Sequence, residues 1–266
     1  MMKPTVASVT ADLVAEHDAL DVVVASLPEA DWELTTPSPG WAIRDQITHL
    51  AFFDETATLA IVDPPGFVIH RETFIAEAFA DPDAADTATL GAGRAMDPVT
   101  LLDHWRIHRA ALAAAASECA EDARIEWYGP SMGAKSFLTA RLMEAWAHGQ
   151  DICDTVGASR EPTDRLRHIA QLGVITRGWT YINRGLDVPS GEVRVELTAP
   201  SGAHWVWGPD DAASSVTGTA LDFCLVTAQR RNIADVDLAV EGSLAHDWLS
   251  MAQLFAGPPS DPPAPA

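Results

Sequence analysis

Apolar residues recur every three to four positions through most of the first two-thirds of the chain, and these stripes predict a series of long helices. The first begins near Val9 and carries Leu13, Leu20, Val24 and Leu27, with His17 continuing the stripe. Pro37 and the Pro39-Gly40 pair interrupt it, and a second helix follows from about Trp41 to Val62, stopped by Pro64-Pro65. Between Phe67 and Ala95 the pattern supports only a short helix near Thr73–Phe79 and then an acidic Asp/Ala/Thr loop. Asp97-Pro98 reads as an N-cap with proline at the first helical position, opening a third long helix over Leu101 to Cys119. Ser136 opens a fourth, through Leu142, Trp146 and Ile152 to Val156, with Gly157 as its C-terminal cap. A fifth runs from Thr163 to about Tyr181.

The period then shortens from 3.6 to two. Val193, Val195 and Leu197 alternate with Arg194, Glu196 and Thr198, as in a half-buried strand. Pro200-Ser201-Gly202 predicts a hairpin turn into a strand at His204–Trp207, and Ser214–Thr217 a further strand. An amphipathic helix over Thr219–Arg231, a short strand at Asp237–Val240 and a last helix at Leu244–Phe255 complete the pattern. The expected fold class is therefore α+β: an up-and-down bundle of four or five helices over residues 1–182, a small α/β domain over 183–257, and a disordered Pro-rich tail over 258–266.

Charge narrows the function. Thirty-eight acidic residues face 17 basic ones, a net charge of −21, and Lys3 and Lys135 are the only lysines. Such a chain repels a phosphate backbone, so no nucleic-acid partner is expected. No apolar run approaches the roughly 20 residues of a membrane span. Asp12, Glu16 and Asp18 stand where a secretion signal would be uncharged, so the expected location is cytoplasmic. Cys119, Cys153 and Cys224 are too widely spaced for a thiolate zinc site or a disulfide scaffold.

Two segments carry candidate chemistry. In Glu144-Ala-Trp-Ala-His148-Gly-Gln-Asp151, residues four apart differ by roughly 40° around a helix, so Glu144 and His148 share a face and Asp151 falls on nearly the same stripe. A carboxylate and an imidazole so placed can share one divalent cation, with Asp151 as a ligand or as a partner of a ligand. Taken alone, such a pair is more often a solvated helix face with Glu–His hydrogen bonding. In the second segment, His49 lies among Ile47, Leu50, Phe52 and Phe53, where a lone histidine is more often a packed core residue. Together, a His on one long helix and a Glu/His pair on another supply three ligands to a bundle interior, where such sites are built.

The run Pro-Gly-Trp, then Arg-Asp-x-x-x-His-Leu, at 39–50 combines with Glu-x-Trp-x-His-Gly-x-Asp at 144–151. This combination resembles the mycothiol-dependent maleylpyruvate isomerase family, part of the wider DinB-like group of metal-binding helical bundles. The likeness extends to a C-terminal α/β domain through Val216-Thr-Gly-Thr-Ala-Leu-Asp222 and Gln229-Arg-Arg231. The resemblance implies a Zn2+ (or other divalent metal) site at His49, Glu144 and His148. It also implies a low-molecular-weight thiol cosubstrate such as mycothiol, bound as thiolate at the open metal position. In the isomerase an arginine of the C-terminal domain assists catalysis, which points to Arg230 or Arg231 here. The expected function is thus a zinc- and thiol-dependent enzyme that isomerises a small electrophile or conjugates it. Its partners are that small molecule and the thiol, and its state is monomer or homodimer. The alternatives are a non-catalytic metal- or ligand-binding protein of the same fold, and an interaction protein whose C-terminal domain docks a partner.

Other candidates weigh less. His104 and His108 are a second i, i+4 pair, but Arg106 and Arg109 crowd them, which favours a polar helix face over a metal or substrate role. Trp127 and Tyr128 lie in a loop able to cover a bundle mouth, and Trp205 and Trp207 share one strand face. Gly91-x-Gly93 follows no strand and is no nucleotide fingerprint.

Overall fold

The structure, a computed structural model, describes residues 4–80 and 82–266. The chain divides into two compact units, one ending at Arg160 and the other beginning at Glu161.

In the first unit, α1 (Val6–Val24), α2 (Ile43–Val62), α5 (Pro98–Ser117) and α6 (Ala134–Val156) form a four-helix bundle in which α1 packs on α5 and α6, and α2 on the same two. Its core contains Leu20, Val24, Ile43, Ile47, Leu50, Leu101, Trp105, Ala145 and Ile152, all essentially removed from water. The predicted signals operate where the sequence places them. Asp97 accepts hydrogen bonds from Val99 and Thr100 with Pro98 at the first position, and Gly157 closes α6 at φ 65°. The start of α2 is set by Asp45, whose carboxylate accepts from the Ala42 backbone N–H at 2.9 Å and from Arg94 Nε at 2.8 Å.

The acidic loop expected after Phe79 is instead helical. Two helices, α3 (Pro64–Ala80) and α4 (Pro82–Arg94), pack against α2 and each other. Asp81 of the predicted loop lies outside the described residues. Pro64-Pro65 does end α2, yet the same prolines start α3, because proline is tolerated in a first helical turn. Asp63 caps that turn by accepting from the Gly66 N–H at 3.1 Å. Gly93 has a packing role: a Cβ there would fall 2.0 Å from Thr48 Oγ1, so glycine lets α4 approach α2.

In the second unit, α7 (Leu166–Ile175) and α8 (Arg177–Ile182) replace the single fifth helix, with a break at Thr176. Both belong to this unit and not to the bundle, so the boundary lies about 20 residues before the expected 182/183. The reason is the buried stripe Leu166, Ile169, Ala170 and Gly173, which packs on α9 (Ala220–Thr227). Strands β3 (Val193–Thr198), β4 (His204–Trp207), β5 (Ser214–Thr219) and β6 (Leu238–Glu241) form one sheet in the order β4-β3-β5-β6. The β3–β4 and β5–β6 pairs are antiparallel and β3–β5 is parallel. The hairpin pairs Thr198 with His204, as its turn residues predict. Trp205 is buried, and the Trp207 indole N–H donates to Gln171 of α7 at 2.8 Å. A short ribbon, β1 (Arg124–Ile125) with β2 (Met132–Gly133), precedes α6 in the first unit.

Two helices stop earlier than their patterns suggest: α9 ends at Thr227, not Arg231, and α10 spans only Ser243–Leu249. The chain after Leu249 still buries Ala252 and Leu254 in an irregular path. The Pro-rich tail has no helix or strand, but it is hydrogen-bonded. Ser260 Oγ donates to Gln229 at 2.7 Å, and Asn232 donates to the Pro263 carbonyl at 2.7 Å.

Candidate metal centre

His49 sits in the second turn of α2 and faces α6, from which Glu144 and His148 project one turn apart. Glu144 Oε2 lies 3.0 Å from His148 Nε2 and 3.4 Å from His49 Nε2. Donor atoms from the three residues all lie within 4.8 Å of one another. Bonds of about 2.0–2.2 Å to a shared cation place neighbouring ligand atoms roughly 3 Å apart, close to the two separations found here. Gly149 follows His148 because α1 comes close: a Cβ would meet Arg160 at 3.0 Å and Leu20 at 3.4 Å.

A chain of polar contacts fixes the His148 ring. The Thr36 hydroxyl donates to the Trp41 carbonyl at 3.0 Å and accepts from Gln46 Nε2 at 2.8 Å. That orientation turns Gln46 Oε1 toward His148 Nδ1, with which it forms a close hydrogen bond. Oε1 can only accept, so Nδ1 carries the proton, which leaves Nε2, 3.0 Å from the Glu144 carboxylate, as the nitrogen a cation would take. The donor set therefore fits a divalent metal: two imidazoles and one carboxylate, leaving net positive charge and an open position.

The electrostatics agree. Burial, reinforced by the neighbouring His148, lowers the His49 pKa to about 4, against the pull of Glu144. Burial alone would raise the Glu144 carboxyl, but hydrogen bonding to His148 and His49 outweighs it and holds the group well below the usual carboxylate range. His49 is thus held neutral and Glu144 ionised, the forms in which each would ligate a metal. Trp41, from the Pro-Gly-Trp run, stacks on His148 at 5.7 Å and 15°, and Phe53 packs on His49 at 4.6 Å. Trp127 and Tyr128, expected over the bundle mouth, pack on Phe53 and Phe67. The Tyr128 hydroxyl meets His70 Nε2 at 2.7 Å, and burial pushes its pKa up to about 12.

Below this layer the bundle encloses a second polar group. Arg141, one turn before Glu144, donates to Asp54 Oδ1 through Nε at 3.2 Å and through a terminal nitrogen at 2.9 Å. His17 Nε2 lies 3.4 Å from the other Asp54 oxygen. All three residues are at most 3% exposed.

Asp151 was expected on a ligand imidazole or at the open position. It is buried and accepts from the Ser38 hydroxyl at 2.9 Å, while Gln46 occupies the Nδ1 side of His148. Arg230 and Arg231 lie beyond α9, not within it. Gln229 adopts φ 56°, the Arg230 N–H returns to the Leu225 carbonyl at 2.7 Å, and the Gln229 N–H to Val226 at 3.0 Å. This is a Schellman ending with glutamine in place of glycine. The Arg230 guanidinium donates to the Ala228 carbonyl at the helix end at 2.7 Å, and that of Arg231 to the Arg230 carbonyl at 2.7 Å in the turn that follows. Gln46, Thr36 and Trp41 are the site residues that sequence reasoning missed. The Trp41 and Gln46 positions fall within the quoted run, but no spacing rule marks them as partners of His148.

Comparison with known proteins places these observations in context. The family model described as mycothiol maleylpyruvate isomerase N-terminal domain matches residues 13–153, and one described as wyosine base formation matches residues 189–241. Two uncharacterised proteins of Mycobacterium tuberculosis, from strains CDC 1551 / Oshkosh and H37Rv, are each 44% identical over 251 residues, 94% of this chain and 95% of theirs. The crystal structure of the mycothiol-dependent maleylpyruvate isomerase is similar with a TM-score of 0.56 at 17% identity. That of its histidine-to-alanine mutant gives 0.58 at 18%, and each comparison covers 86% of this chain and 92% of the other. These likenesses establish the fold, an α+β arrangement of helical bundle and small sheet unit.

Proposed function

The chain belongs to the mycothiol maleylpyruvate isomerase N-terminal domain family, and from that premise we propose that it is a thiol-dependent isomerase of small electrophiles. His49, Glu144 and His148 would hold one divalent metal, zinc by preference. The observation that carries the reading is the His148 ring fixed by Gln46 with Nε2 turned toward Glu144. A divalent cation there would supply Lewis acidity, lowering the pKa of a thiol cosubstrate from about 8.5 so that it is a thiolate at neutral pH.

The rest of the chemistry falls to the chain and the thiol. Addition of the thiol sulfur to a double bond conjugated with a carbonyl makes that bond single and leaves an enolate. Rotation and expulsion of the same thiol restore the double bond in the other geometry, with the thiol regenerated. Among the described residues no activated thiol competes with the cosubstrate: burial raises Cys153 to about 11, and pushes Cys119 and Cys224 up as well. Trp41 and Phe53 flank the imidazoles with apolar surface, which strengthens electrostatic interactions there. In this reading Arg230 or Arg231 is the cation that assists catalysis, as the family resemblance implies, and Asp151 keeps the Pro-Gly-Trp turn in place through Ser38. The wyosine-base match covers only the sheet region, and a net charge of −21 gives no footprint for a polynucleotide.

The test is turnover of a panel of cis-unsaturated keto acids, maleylpyruvate included, with and without mycothiol. We expect thiol-dependent isomerisation that His148→Ala abolishes in a folded protein and that Arg230→Ala or Arg231→Ala reduces at unchanged metal content. Metal binding without turnover on any electrophile of the panel would favour the non-catalytic alternative.

A further inference from the structure

A second group of metal-ligating side chains lies in the same bundle, sharing α2 with the first but facing another helix. Glu55 follows His49 on α2 by six residues, about 9 Å along the axis and roughly 120° around it, so it faces a different neighbour. That neighbour is α5, where His104 and His108 stand one turn apart. Donor atoms from Glu55, His104 and His108 all lie within 4.8 Å of one another. His108 Nε2 is 4.0 Å from Glu55 Oε2, and the two imidazole rings are 4.3 Å apart at 75°.

The arginines that crowd this stretch of sequence do not compete for Glu55. Arg106 pairs with Asp21 at 2.6 Å and with Asp103 at 3.2 Å, and Arg109 with Asp18 at 2.8 Å and with Asp21 at 2.5 Å. The α1 carboxylates thus draw both guanidinium groups to the other side of α5. Among the described residues, neither His104 nor His108 is hydrogen-bonded to another group, and Glu55 has no arginine or lysine partner. His108 is only 16% exposed, so its ring is held in place, while Glu55 is 58% exposed and free to close the remaining gap by a rotamer change. Glu55 and His108 also border a cleft of about 350 Å³ whose walls include Phe52, Leu59, Val62 and His70.

We infer that Glu55, His104 and His108 form a second divalent transition-metal site, separate from the His49–Glu144–His148 centre. Imidazole and carboxylate donors suit zinc and its first-row neighbours over magnesium or calcium, which take oxygen ligands. Three protein ligands leave a position for water or a small anionic ligand entering from the cleft, the arrangement of an exchangeable site rather than a closed structural one. The two sites share no residue, so this inference stands or falls apart from the proposed isomerase.

The experiment is equilibrium dialysis of the full-length protein against Zn2+ at neutral pH, with metal counted by mass spectrometry and folding checked by circular dichroism. Wild type should bind two zinc ions per chain. His104→Ala with His108→Ala should bind one, Glu55→Gln should weaken one site at least tenfold, and His148→Ala should retain the site on α5. One ion in wild type that is lost in His148→Ala but kept in the His104/His108 variant would overturn the inference. So would two ions in wild type with both kept in that variant.

Discussion

Gln46 is the residue whose replacement separates a metal centre from a buried histidine cluster. Its carbonyl oxygen sets the His148 tautomer, and partners of this kind are worth about 10–100-fold in metal affinity or activity. Gln46→Ala should weaken zinc binding at the triad by that factor, with Gln46→Glu, which still accepts from Nδ1–H, closer to wild type. Competition with a chromophoric chelator measures it, and equal affinity in all three proteins would show that the tautomer is not held by Gln46. The convergence of the three side chains was legible because it follows from spacing: Glu144 and His148 stand four positions apart on one helix, and His49 faces them from another. The supporting residues were not, because they depend on a contact between Gln46 and Thr36 that only the folded turn before α2 brings about. Asp151 illustrates the same limit. It is buried on α6, but Ser38 arrives from a distant loop to bind it.

At the scale of helices, the bundle core is held by an ion pair as well as by apolar packing. Asp54 of α2 and Arg141 of α6 are buried, and removing one partner of a buried pair leaves an uncompensated charge, at a cost of about 3–5 kcal/mol. Asp54→Ala should lower the unfolding free energy from urea titration by that amount, while Asp54→Leu combined with Arg141→Met should recover most of it. A loss below about 1 kcal/mol would mean the pair is hydrated. His17 packs against the same carboxylate, and burial holds its pKa below the usual 6.5 although Asp54 pulls it up. The folded chain keeps it neutral where the unfolded chain is protonated, so stability is full above about pH 6.5 and declines as pH falls toward the folded value. Between pH 7 and 5 wild type should therefore lose more stability than His17→Gln does, measured by chemical unfolding at each pH. Helix positions were legible wherever a cap or a strong stripe marked them, as at Asp97-Pro98 and Gly157. The pair α3 and α4 was hidden because its prolines read as breakers when they stand in first turns, and because an Asp/Ala/Thr stretch has little apolar stripe although alanine favours helix.

For the molecule as a whole, the boundary at 160/161 carries a practical consequence. A fragment ending at Arg160 keeps the complete four-helix bundle and the triad. One ending at Asp187 also carries α7 and α8, whose buried residues Leu166, Ile169 and Tyr181 would lose the packing of the second unit. The shorter fragment should be monodisperse by size-exclusion chromatography and bind metal, and the longer one should associate. The reverse result would return α7 and α8 to the bundle. The change from helical to strand period was visible in the sequence, but periodicity marks where strands begin and not which unit the preceding helix packs against. Above both units stands the claim that His49, Glu144 and His148 hold a metal that takes up a thiol. It is tested most directly by loading the protein with Co2+, in the His104→Ala/His108→Ala background so that only the triad is occupied, and recording absorption as mycothiol is added. A sulfur-to-cobalt charge-transfer band that grows with thiol and is absent when His148→Ala is added is the predicted result. No band on addition of thiol, or a band that survives the loss of His148, would contradict it.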